Sequence, residues 1–187
     1  MKSQAKSAIK MLCSWISLFC VVSLLCTVTG ILGNCETLNL LYKNLEYKNR
    51  VEYMKYNFPI NYTIRVRHEE VLKVSKVTNL RQKYNVTESD LQNLWWYVSN
   101  SVVKRIQNVL PRKHPSWNYT TDLLKILEEP LNDTEDDEQP EGIVGDIISK
   151  LRCPSEEGVL KSVRPKALLD NCFKVMDMLF SAICKWS

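Results

Sequence analysis

Side-chain catalysis needs a nucleophile and an oriented base, a metal set, or a phosphate cradle. The sequence holds few residues for any of them. There are two histidines, His68 and His114. His114 falls in the turn RKHPSW beside Lys113, where the ordinary reading is a solvated loop histidine. No G-x-S-x-G, H-E-x-x-H, P-loop or G-x-G-x-x-G is present. Seven cysteines leave a Cys–His pair open on composition, but their placement suits disulfides better. The acidic run 135–138 lacks the alternating ligands and glycine turn of a calcium loop, so it reads as solvated. These residues point away from an enzyme, a metal site or a cofactor and toward a binding protein.

The chain opens with MKSQAKSAIKMLCSWISLFCVVSLLCTVTGILG. Lys2, Lys6 and Lys10 form a positive start. An apolar run follows from Met11 to Val28, then small residues at Thr27, Thr29, Gly30 and Gly33. That is a secretory signal peptide in form, residues 1–33, with cleavage expected within about 29–34. The apolar run is somewhat long, and an uncleaved signal anchor is the competing reading. Loss of the leader lysines takes the formal charge from +4 to +1, which leaves no basic field for nucleic acid. Residues 34–187 are of single-domain size. The sequons at Asn61, Asn85, Asn118 and Asn132 agree with secretion and are candidate glycan sites. Asn61 is the weakest, because it falls in an expected strand.

Cys13, Cys20 and Cys26 leave with the leader. Cys35, Cys153, Cys172 and Cys184 remain, an even number that suits disulfides in a secreted chain. The last two lie in VRPKALLDNCFKVMDMLFSAICKW, which has helical spacing at Leu168, Cys172, Val175, Met176, Leu179 and Ile183. Pro165 suits its first position. If the stretch is one helix, those cysteines stand roughly 18 Å apart along its axis, whereas bridged Cα atoms lie within about 7 Å. Two pairings stay open: 35–184 with 153–172, and 35–172 with 153–184.

The elements around these cysteines are mostly helical. Residues 36–57 place Leu40, Tyr47, Val51, Met54 and Phe58 on one face, flanked by Leu38, Leu41 and Leu45, and Pro59 stops the pattern. INYTIRV (60–66) alternates and reads as a strand, and VLKVSKV (71–77) as a second. Thr87 with Asp90 resembles an N-cap pair opening a helix over 87–110. On it Trp95 joins the apolar stripe, and Trp96 lies off it, under a crossover or toward a partner. A third helix spans 116–129, capped by Ser116 and stopped by Pro130. Residues 131–142 form an acidic exposed loop. A short helix covers 143–151, VLKSV (159–163) reads as a strand, and the last helix spans 165–186. The links between the four main helices run long, short, long. Such spacing fits an all-α, short-chain four-helix bundle with up-up-down-down topology. Its two long crossovers carry short strands that can pair. That is the architecture of helical cytokines.

VRPKALLDNCFKVM (163–176), YMKYNFPINYTIRV (53–66) and HPSW (114–117) closely resemble the interleukin-34 family, with similarity from Cys35 to Cys184. The resemblance implies a secreted, glycosylated cytokine and a non-covalent homodimer. It also implies binding to the macrophage colony-stimulating factor receptor, a receptor tyrosine kinase, in support of monocytes and macrophages. Cell-surface proteoglycans are further implied partners. It implies a Cys35–Cys184 disulfide. The family's second bridge uses a cysteine where this chain has Ser181, so a Cys153–Cys172 pair is only an expectation. Receptor contacts are expected at exposed polar residues of the first and third helices: Lys43, Glu46, Arg50, Asp122 and Lys125. Dimer contacts are expected at Val109, Leu110, Pro115 and Trp117. A related cytokine for another receptor, a signal-anchored adhesion or signalling protein, and a hydrolase with a pocket at His114 are the rival readings.

Overall fold

The computed structural model describes residues 35–132, 141–153 and 159–186. The expected leader and the acidic run 133–140 lie outside the described residues. Among the described residues the chain is mostly helical with one small sheet. Helix α1 spans 35–44. Then come α2 (Tyr47–Val51), a π-helical turn (Glu52–Tyr56), β1 (Ile64–Arg67), α3 (Val74–Tyr84), α4 (Glu88–Asn108), α5 (Trp117–Asn132), α6 (Gly142–Arg152), β2 (Leu160–Val163) and α7 (Pro165–Phe180). The four bundle members are α1 with α2, α4, α5 and α7. The two long links carry β1 with α3, and α6 with β2.

The expected continuous helix over 36–57 is broken at Leu45–Glu46, where Glu46 takes a non-helical ψ of 152°. A break frees carbonyls that need new partners. The Asn44 carbonyl accepts from the Tyr119 hydroxyl at 2.8 Å. The Lys43 carbonyl accepts from Asn49 Nδ2 at 3.0 Å. The Leu45 carbonyl accepts from the Arg50 guanidinium. The break also turns the helix: Leu38, Leu41 and Leu45 are buried before it, Met54 and Phe58 after it, while Leu40 and Tyr47 face outward. The residues read as flanking the core stripe are therefore its centre.

Antiparallel pairing of β1 with β2 runs from Ile64 opposite Val163 to Arg67 opposite Leu160. The two crossovers thus meet as strands, as expected. β1 is only the second half of 60–66, because residues 60–62 turn. The second expected strand, 71–77, is instead the lead into α3. Val77 and Leu80 are buried one helical turn apart, and Asn85 closes the helix in the left-handed region at φ 52°. A short β-branched run fits both periods, and here the buried pair at helical spacing decides.

Helix α4 is capped as expected, Asp90 N–H donating to Thr87 Oγ1 at 3.1 Å. Leu91, Leu94, Trp95, Val98, Val102 and Ile106 form its buried stripe. It packs against α5, α6 and α7. Trp95 donates from Nε1 to the Cys172 carbonyl at 2.9 Å. Trp96 is buried as well, edge-on to Trp95 and Phe180. Pro130 sits inside α5, which runs on to Asn132, so this proline did not end the helix. It removes one N–H near the helix end, where the loss costs one bond rather than a kinked interior. Ser116 does not cap α5: its hydroxyl donates to the Tyr53 carbonyl. Helix α7 ends at Phe180, six residues before the expected end, with Ser181 N–H bonded to the Asp177 carbonyl and Cys184 in the following turn.

Cys35 and Cys184 are both disulfide-bonded. Cys153 and Cys172 are free thiols, which corrects the expectation that they pair. Cys153 is exposed just past α6, while Cys172 faces the bundle interior from α7. Burial pushes the Cys172 thiol up to about 11.

Candidate interaction surfaces

Of the expected receptor contacts, Lys43 and Glu46 are exposed at the α1–α2 corner. Asp122 and Lys125 are exposed too, and pair with each other at 3.5 Å along α5. The Tyr119–Asn44 bond sets the first turn of α5 beside that corner. Tyr119 stacks on Tyr53 with ring centroids 4.4 Å apart, and its burial raises the phenol above its ordinary range. Lys43 and Glu46 thus flank the corner that Tyr119 ties to α5, whereas Lys125 lines a groove between α4 and α5 with Lys104 and Glu128.

Arg50 does not join them. It is 6% exposed. Its Nε pairs with Asp170 Oδ1 at 2.8 Å, and its guanidinium lies 4.3 Å from the Phe173 ring centroid. Together with the bond to the Leu45 carbonyl, these contacts make Arg50 a tie between the break in the first helix and α7. Helical spacing from Lys43 and Glu46 placed it on their face; the break at Leu45–Glu46 rotates it inward.

The expected dimer residues cluster at the α4–α5 turn. Val109 is 44% exposed, Pro115 is exposed and Trp117 is half-buried. Leu110 is buried at 7% exposure and cannot offer its side chain to a partner. The turn is clasped from behind. Ser116 N–H donates to His114 Nδ1 at 3.1 Å. Nδ1 must then accept, so the ring is the neutral Nε2–H tautomer and donates to the Asn57 carbonyl at 3.0 Å. Asn57 Nδ2 donates to Ser116 Oγ at 3.2 Å, and Phe58 packs on the His114 ring. His114 is thus a structural clasp, not the solvated loop histidine expected from its neighbours.

The clasp holds the segment 53–62 beside the turn, and that segment carries large exposed apolar residues the sequence reading missed. Tyr56 is 73% exposed and Ile60 91% exposed. A groove lined by Tyr47, Tyr56, Ile60, Tyr62 and Pro165 lies between this segment and the start of α7. Tyr47 had been assigned to the core by spacing. The one sequence signal was an isoleucine set between Pro59 and a sequon.

Among the sequons, Asn85 and Asn118 are exposed. Asn61 is exposed in a turn rather than in the expected strand, which removes the reason for ranking it last. Asn132 is the final residue of α5.

The sequence model of the family described as Interleukin 34 matches residues 30–187. The chain belongs to the interleukin 34 family. Its cytokine fold, the bonded Cys35 and Cys184, and the segments at 53–66, 114–117 and 163–176 that carried the resemblance now have one context. In this interleukin 34 family member, 53–58 and 114–116 form the clasp, and 163–176 supplies Asp170 and Phe173 to the Arg50 tie. Among the described residues no helix is long and apolar enough to cross a membrane. The chain is thus a cytokine by family.

Proposed function

We propose that this cytokine is secreted after removal of residues 1–33 and forms a non-covalent homodimer. The dimer binds and dimerises the macrophage colony-stimulating factor receptor, which promotes survival, proliferation and differentiation of monocytes and macrophages. The family match over 30–187 carries the reading. Two features support it. Lys43 and Glu46 stand exposed at the α1–α2 corner, and Asp122 and Lys125 stand exposed on α5, which the Tyr119–Asn44 bond ties to that corner. Val109, Pro115 and Trp117, with Tyr56 and Ile60, present an apolar surface at the end of the bundle, of the kind a second copy covers.

The mechanism is proximity. A dimer displays two copies of one receptor surface, and two receptors held together place their kinase domains within reach of each other. The Cys35 and Cys184 sulfurs, bonded to each other, would close a loop of about 150 residues and restrict the unfolded chain by roughly 5 kcal/mol on the chain-entropy account. Proteoglycans are a further proposed partner. The test is receptor phosphorylation and monocyte survival in cells given the purified protein. Phosphorylation lost in a Lys43/Glu46/Asp122/Lys125 charge-neutralised variant, but kept by Arg50→Lys, is expected. Equal activity of the neutralised variant would remove that surface.

A further inference from the structure

The crossover sheet has a charged end that the receptor and dimer readings do not use. His68 N–H donates to the Val159 carbonyl at 3.1 Å, which carries the β1–β2 ladder one residue past the Arg67–Leu160 pair. Residues 64, 66 and 68 share one face. Lys161 stands opposite Val66, so it is the diagonal neighbour of His68 on that face. Ile64 and Val66 are buried, whereas His68 and Lys161 are exposed, so the face leaves the core at this end. Two more lysines arrive from the crossovers. The Arg67 guanidinium donates to the Lys150 carbonyl at 2.8 Å, which ties the end of α6 to β1. Lys76 stands half-buried on the first turn of α3.

These charges lie near enough to perturb one another. Burial first, and then Lys161 and Lys76, hold His68 below its ordinary value, while Glu69 pulls the other way. Burial also lowers Lys76; Glu69 opposes this, and Lys161 and Lys150 add to it. Among the described residues His68, Lys76, Lys150 and Lys161 have no ion pair. The neighbouring Glu70 does not neutralise them. It is buried, and its carboxylate is taken by Arg105, Ser101 and the Arg67 N–H. Lysines from α3, α6 and β2 thus meet a histidine at the end of β1, with Glu69 as the counter-charge that acts on His68 and Lys76. Like charges gathered in this way repel one another and raise the local affinity for an anion.

We propose that this end of the crossover sheet binds the sulfate groups of a sulfated polysaccharide, through Lys76, Lys150, Lys161 and protonated His68. The proposal rests on the proteoglycan partner put forward above and gives it a place and a chemistry. Lysine ammonium groups are compact point charges that suit a tetrahedral anion, whereas planar carboxylates favour the arginine fork. The cluster is mostly exposed and spread over four segments, which suits a chain of repeated anions lying across it. A bound sulfate favours the charged imidazole, so binding tightens as pH falls through the His68 range. The cluster contains none of the residues assigned to the receptor or the dimer.

The test titrates the full secreted protein with a heparin-derived hexasaccharide, at about pH 7.5 and about pH 5.5. An unsulfated hexasaccharide, a capped acidic peptide and phosphatidylserine vesicles are the comparisons. NMR follows the His68 ring. Saturable binding that is tighter in acid, with the His68 midpoint raised by the saccharide, is expected. Each unit of that rise corresponds to a tenfold gain in affinity between the two charge states. Lys150→Gln/Lys161→Gln, at exposed positions, should weaken binding by about fivefold or more, as loss of two exposed charge contacts does, whereas exposed Lys185→Gln should not. His68→Gln should abolish the gain in acid. Undiminished binding by the double variant, or an unmoved His68 midpoint, would overturn the site and leave the proteoglycan partner standing. No binding of the sulfated saccharide by the native protein would overturn both. Equal binding of the unsulfated saccharide, or tighter binding of the peptide or the vesicles, would overturn the assignment to sulfate.

Discussion

Arg50→Ala is the sharpest perturbation of the frame. It deletes the 2.8 Å pair with Asp170, the bond to the Leu45 carbonyl and the stacking on Phe173. A charge-assisted bond contributes about 1.5–3 kcal/mol, and an orphaned buried carbonyl costs about 1–3 kcal/mol. The cation–π contact adds roughly 0.5–1 kcal/mol at a part-buried site. Asp170 is not stranded, because Lys166 Nζ stays at 2.6 Å and the carboxylate is a quarter exposed. The loss should therefore fall below the roughly 3–5 kcal/mol of a broken, fully buried pair. About 3 kcal/mol is expected, since the parts share one side chain and do not add in full. Urea unfolding at fixed protein concentration reads it as a lower midpoint with an unchanged slope. At this chain size the melting temperature should fall by roughly 6–12 °C. A cycle with Asp170→Asn should return a coupling of about 1 kcal/mol or more. A loss under about 0.5 kcal/mol would refute the reasoning, and would mean that the broken first helix does not depend on Arg50.

Trp95→Phe should destabilise by about 1–2 kcal/mol, because it removes the indole bond to the Cys172 carbonyl and leaves a void in the core; thermal unfolding checks it. In the native protein at pH 8, iodoacetamide followed by peptide mapping should label Cys153 and spare Cys172, whose thiol is pushed up to about 11 and is buried. Both should label in urea, and a 153–172 bridged peptide would contradict the assignment of free thiols. His68 should titrate below the usual 6.5, first through burial and then through Lys161 and Lys76. The folded state thus binds that proton less well than the unfolded chain, so its contribution falls as pH drops through the unfolded value. NMR of Lys161→Gln should show the His68 midpoint rising. Trp117→Ala and Ile60→Asp should each shift the proposed dimer toward monomer in light scattering, by about tenfold or more in dissociation constant if either is a central contact.

The bundle was legible because long apolar stripes on 91–106 and 168–179 keep one period over several turns. The crossover strands were legible from alternation and from the link lengths, which require the two links to pass each other. Three features were not legible. The break at Leu45–Glu46 has no proline or glycine to mark it; it is held by Arg50, Asn49 and Tyr119, partners up to 75 residues away. The α3 helix hid behind a β-branched run whose pattern suits both periods. Arg50 was misplaced because surface position was read from helical phase, and phase fails where a helix breaks; Leu110 was grouped with its neighbours at the α4–α5 turn, but its side chain is buried there. Among the site residues, the exposed charges at Lys43, Glu46, Asp122 and Lys125 were readable from spacing.

The central claim is that this cytokine bridges two receptors. The most direct measurement is the mass, by light scattering, of the secreted, glycosylated and disulfide-bonded protein mixed with the macrophage colony-stimulating factor receptor ectodomain. The account predicts a stable complex of two receptor ectodomains on one cytokine dimer. A folded protein that stays separate from the ectodomain at micromolar concentration would contradict it.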